Sequence, residues 1–114
     1  MLDLIIKNGK CYIDKDLKEV DIGIQNSKIS KIGKIEEEAS QIIDASGLTV
    51  LPGCIDTQTH FREPGSTDTE DLHTGSRAAI VGGITSVFEM PNTNPATTYQ
   101  KEFQRKIDLA KNRM

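Results

Sequence analysis

The chain has 114 residues, of which 36% are hydrophobic, 27% charged and 4% aromatic, with no Trp. Net charge is −3, and the Lys and Arg residues are scattered. This excludes a disordered or collagen-like chain and predicts no nucleic-acid partner, because neither a basic patch nor a base-stacking platform is present. No apolar run reaches the roughly 18 residues of a membrane span. The N-terminus, with Asp3 and a short apolar stretch, does not read as a secretory signal, so a cytoplasmic location without membrane contact is expected. Cys11 and Cys54 form no CxxC pair and are expected as two small buried thiols in a reducing compartment.

Residues 1–52 read as short strands and turns. Leu2, Leu4 and Ile6 alternate, and Asn8-Gly9 predicts a type I′ hairpin turn into Cys11–Ile13. Val20, Ile22 and Ile24 alternate again, and Gln25-Asn26-Ser27 turns the chain toward Ile29 and Ile32. Glu36–Glu38 reads as a solvated loop, and Ile42-Ile43 and Leu48–Leu51 as further strands. Closely spaced short strands predict a small β-sandwich or an open sheet.

The pattern changes at Pro52-Gly53. Cys54–Arg62 reads as a strand. Thr67–Ala79 reads as a helix capped by Thr67 or Asp68 and stopped at Gly82-Gly83. Ile84–Met90 is a second strand and Pro91–Pro95 a loop. A last helix starts at Thr97 or Thr98, with Tyr99, Phe103 and Ile107 recurring every four residues and Lys111 and Arg113 at its C-terminal end. Strand, helix, strand, helix predicts parallel β/α units.

On a strand, Asp56, Gln58, His60 and Arg62 share one face. Four polar side chains on one face need partners, a metal or a ligand. Taken alone they read as a hydrogen-bonded cluster at a strand end. Asn92 lies in the loop after the second strand, where parallel α/β folds bind ligands. Taken alone it reads as a turn residue.

Together, Asp56-Thr57-Gln58-Thr59-His60-Phe61-Arg62-Glu63-Pro64-Gly65 and Gly82-Gly83-Ile84-Thr85-Ser86-Val87-Phe88-Glu89-Met90-Pro91-Asn92-Thr93 are more specific. The ordered pair resembles the dihydroorotases of the cyclic amidohydrolase superfamily, over essentially the whole chain. The resemblance implies an α/β fold. Residues 1–52 would be an N-terminal β-sandwich segment, and residues 53–114 the first two β/α units of an incomplete (β/α)₈ amidohydrolase barrel. Allantoinases and hydantoinases share parts of the pattern, but Arg62 with Asn92 favours the dihydroorotase reading. The family reaction is the reversible hydrolysis of dihydroorotate to N-carbamoyl-aspartate, in pyrimidine biosynthesis.

The resemblance also assigns roles. Arg62 and Asn92 match the positions that hold the substrate carboxylate, which suits a planar guanidinium and an amide donor. His60 matches the second His of a zinc-binding HxH pair, and Gln58 stands where the first belongs. A neutral amide oxygen replaces imidazole poorly on zinc. Asp56 matches a residue that supports the metal site. Glu89 stands where the family more often has Asp, and His73 is given a surface or packing role.

A complete barrel needs about 250 residues, so residues 53–114 hold roughly two of eight units. The lysine, further His and Asp that complete the family's site are not among them, and no catalytic residue is assigned within this chain. A truncated, inactive piece of a dihydroorotase is therefore expected. The alternative is a non-catalytic partner or scaffold of aspartate carbamoyltransferase, motivated by Gln58. Two β/α units leave apolar surface and strand edges uncovered, which predicts marginal stability, a homo-oligomer or dependence on a partner.

Overall fold

The computed structural model describes residues 1–114. The chain divides into two compact units, Met1–Pro52 and Gly53–Met114.

The first unit has five strands: β1 (Leu2–Ile13), β2 (Asp16–Gln25), β3 (Lys28–Gly33), β4 (Ala39–Asp44) and β5 (Thr49–Val50). They form one sheet in the order β3-β2-β1-β4, with β5 also on β1. β1 is antiparallel to β2 and parallel to β4 and β5. Of the two expected forms, sandwich or open sheet, a single open sheet is found, and the length of β1 is the reason. Its twelve residues pair with β4 from Leu2 to Lys7 and with β5 at Lys10 and Cys11, so one strand organises the whole unit. Leu2, Ile5 and Ile35 form the core, with Ala39 packed against them. Ile29, Ile32, Ile42 and Ile43 are all exposed, on both faces of the sheet.

Asn8-Gly9 does not turn the chain. Asn8 takes φ 61°, and the register of β1 against β2 shifts between Ile6 and Gly9, so the left-handed residue makes a bulge within a continuous strand. The Asp21 and Asp44 carboxylates secure it, accepting from the Asn8 backbone N and Nδ2, each at 3.0 Å. The hairpin turn falls instead at Asp14-Lys15, with φ 54° and 67°. Two successive positive φ values are the type I′ signature, and Asn26-Ser27 repeats it at 52° and 59° between β2 and β3, where a turn is expected.

The second unit contains β6 (Cys54–Thr59), α1 (Leu72–Val81), β7 (Ile84–Glu89) and α2 (Gln100–Ala110). β6 and β7 are parallel, in the predicted alternation. Boundaries differ from expectation for identifiable reasons. β6 stops at Thr59, three residues short of Arg62, where the backbone turns away from β7. α1 starts at Leu72 because Asp71 forms a capping box with Thr74, so Thr67 and Asp68 lie in the preceding turns. At Gly75 an added Cβ would meet the Phe61 ring at 2.6 Å, so a glycine there lets α1 rest on Phe61.

α2 begins at Gln100, and Tyr99 as its N-cap makes no side-chain hydrogen bond. Tyr99, Phe103 and Ile107 all face outward, and the buried residue of α2 is Lys106. Arg113 lies beyond the helix and serves both its end, donating to the Leu109 carbonyl at 3.2 Å, and an ion pair with Glu63.

The cysteines part company. Cys54 is exposed, against expectation, because it opens β6 at the border of its unit. Cys11 is buried with its thiol 3.3 Å from the Val20 carbonyl oxygen, and burial pushes its pKa up. Ellman's reagent is expected to label Cys54 at least tenfold faster than Cys11. Equal rates from the folded chain would contradict the buried position of Cys11.

Candidate functional site

The predicted strand-end cluster is only partly assembled. Asp56 is half-buried, and its Oδ1 accepts from the Gln58 backbone N at 2.9 Å, so the carboxylate serves its own strand end. Gln58 is exposed. Alternation is lost after Thr59, because β6 ends there, so His60 and Arg62 stand on a loop.

One contact joins the two motifs. His60 Nδ1 donates to Asn92 Oδ1 at 2.9 Å, across 32 residues of sequence. This leaves His60 Nε2 as the nitrogen with an available lone pair in the neutral ring, and the Asn92 amide as a donor. The loops after β6 and β7 are tied again where Asn94 N donates to the Pro64 carbonyl at 2.9 Å. Gly65 permits that approach. Its φ is +124°, and a Cβ there would lie 2.8 Å from the Asn94 side chain. Arg62 is exposed, and the ion pairs of this unit use Lys106 and Arg113 instead.

Three further residues support these loops, of which the sequence marked Glu89 only as a departure from the family's Asp and gave none a role. Glu89 ends β7, and its two carboxylate oxygens lie 3.0 and 3.1 Å from the Phe61 backbone N. Lys106 Nζ pairs with Glu89 Oε1 at 2.6 Å, with both side chains largely buried. Glu63 receives Arg113 through two bonds of 2.8 and 3.1 Å and also accepts from the Leu72 backbone N at 2.9 Å. The Arg113 guanidinium holds the Glu63 carboxyl below its ordinary range, assisted by the Leu72 N–H and opposed by burial. Glu63 stands in the sequence motif, but Lys106 carries no signal that marks it as buried. His73 sits on the exposed part of α1 with Nδ1 3.0 Å from the Arg113 carbonyl oxygen, a packing role as expected.

The residues present do not fit a zinc site. No three His, Cys, Asp or Glu side chains converge. A catalytic zinc takes three protein ligands and water, whereas this chain brings His60 and the amide of Gln58. No helix is long and apolar enough to cross a membrane.

The second unit is thus a pair of parallel β/α elements with His60 and Asn92 joined beyond the strand ends, where parallel α/β folds bind ligands. Residues 49–111 match the amidohydrolase family, and the chain belongs to that family. It is 46% identical over 98% of its length to an allantoinase of Salmonella choleraesuis strain SC-B67, covering 25% of that protein. The L-hydantoinase (dihydropyrimidinase) of Arthrobacter aurescens superimposes with a TM-score of 0.87 at 34% identity, over 96% of this chain and 25% of that one. The N-acyl-D-glutamate deacylase of Bordetella bronchiseptica, solved with zinc, gives 0.61 at 29% identity over 75% of this chain and 18% of that one. The chain thus spans about a quarter of the length of the curated relatives it matches. The likeness is to cyclic amidohydrolases named allantoinase and hydantoinase rather than specifically to dihydroorotase.

Proposed function

We propose that this chain is the N-terminal part of a longer hydrolase that opens a cyclic ureide by hydrolysing a ring amide, with the ends of β6 and β7 on the substrate side. The ring C–N bond breaks, the oxygen of water adds to the carbonyl carbon, and the nitrogen takes a proton. The observation that carries this reading is the 2.9 Å bond between His60 and Asn92, which brings two distant motifs to the ligand-binding end of parallel strands. The residues that activate water would come from outside this chain, as would most ligands of a metal.

Two rings compete as substrate. Identity of 46% across 98% of the chain supports allantoin. Arg62 and Asn92 support dihydroorotate, whose carboxylate an exposed guanidinium and a free amide N–H can hold. The extended likeness outweighs two side chains and puts allantoin first. Gln58 motivates a further reading, a non-catalytic partner of aspartate carbamoyltransferase.

The purified complete gene product should open allantoin with a higher kcat/KM than dihydroorotate. The reverse preference, with a KM for dihydroorotate that rises about tenfold or more in Arg62→Ala, restores the carboxylate reading. If neither ring nor hydantoin is opened and the carbamoyltransferase copurifies, the hydrolase reading fails and the scaffold replaces it.

A further inference from the structure

We propose that Glu89 is a positioning residue: its carboxylate, held by buried Lys106, fixes the loop that presents His60 and Arg62. The proposal rests on the reading that this loop faces substrate, and it adds what sets the loop's position.

Burying an ion pair under a strand end is expensive, and an apolar pair of equal volume would hold the fold at least as well. Here the pair sits where the backbone needs it. Thr59 pairs with Glu89 in the β6–β7 register, and Met90 N donates to the Thr59 carbonyl at 2.8 Å, so the ladder ends at this level. Beyond it β7 offers Phe61 no backbone partner. The Glu89 carboxylate supplies one, accepting from Phe61 N with both oxygens, while Lys106 Nζ lies 3.5 Å from the Phe61 carbonyl oxygen. The Phe61 side chain is buried against Gly75. Phe61 is therefore pinned by ring and backbone between a half-buried His60 and an exposed Arg62. Release of Phe61 would free both neighbours, and His60 would lose the place from which it meets Asn92.

Amide hydrogen exchange and nuclear Overhauser contacts of the 114-residue chain test this. In Glu89→Ala the Phe61 amide should exchange at least tenfold faster, the amides of the β6–β7 ladder should keep their rates, and the His60–Asn92 contact should vanish. In Glu89→Gln the amide oxygen still accepts, so Phe61 protection and the His60–Asn92 contact should both survive without the ion pair. Unchanged Phe61 exchange in Glu89→Ala overturns the proposal. So does equal acceleration throughout the ladder, which marks a merely structural role. If Glu89→Ala does not fold, Glu89→Gln decides alone: loss of the His60–Asn92 contact while Phe61 stays protected defeats it. These readouts involve no catalysis. A complete product that opens no ring would remove the functional reading and leave the positioning result standing.

Discussion

Glu63→Ala is expected to destabilise the second unit by about 3 kcal/mol, the lower end of the range for breaking a buried ion pair. The lower end applies because the Glu63 side chain is 10% exposed but that of Arg113 is 36% exposed, so solvent reclaims the guanidinium. The loss has two sources. The bidentate pair with Arg113 is removed, and the Leu72 N–H at the start of α1 loses its acceptor. Glu63→Gln keeps an acceptor for Leu72 and should lose less. The effect depends on pH with a definite sign. Because the folded carboxyl titrates below its ordinary value, the Glu63 contribution is complete above the unfolded pKa of about 4.3 and disappears as pH falls through the folded value. Asp21, held down by the backbone N–H groups of Ile35 and Asn8, and Asp71, held down by Thr74, act in the same direction. Urea unfolding at pH 7 should therefore separate wild type from Glu63→Ala, and the gap should narrow progressively as pH falls below about 4. A difference that persists undiminished in acid would contradict the ion-pair account.

Ile5→Ala should have an effect of similar size on the first unit, about 3–4 kcal/mol. Ile5 is fully buried with Leu2 and Ile35 in a small cluster, and Ala leaves a cavity that three side chains cannot close. A unit of this size has only a few kcal/mol of total stability, so the sheet should be largely unfolded at 37 °C. Ile42→Ala is the internal control. Ile42 lies on β4 at 56% exposure, and its loss should cost under about 1 kcal/mol. Thermal unfolding followed by far-UV circular dichroism measures both, and equal losses would show that the core is misplaced.

The contrast between Ile5 and Ile42 also shows what sequence conveys and what it does not. Alternation identifies strands but not the layer each faces. Ile29, Ile32, Ile42 and Ile43 look like core positions of a sandwich and are exposed on a single sheet. Asn8-Gly9 has the residues of a hairpin turn, and a left-handed Asn8 was needed, but for a bulge in a strand that continues. The second unit was easier to read, because strand and helix patterns alternate along it, which points to parallel β/α units. Its strand-end motifs predicted Arg62 and Asn92 at corresponding ends, but the structure joins Asn92 to His60 and leaves Arg62 exposed. Lys106 was hidden because a basic residue beside Phe103 and Ile107 reads as the solvated side of the helix. The Glu89 carboxylate, with the Phe61 carbonyl oxygen, makes its interior position tolerable.

The convergence of the loops after β6 and β7 is the claim on which the rest depends. It is tested most directly by the solution NMR spectrum of the 114-residue chain, read for a through-space contact between the His60 ring and the Asn92 side-chain amide. The account predicts that contact, with Nδ1 of the neutral imidazole carrying the proton. An absent contact, with the ring proton on Nε2, would separate the two motifs and remove the basis for a shared substrate-binding end.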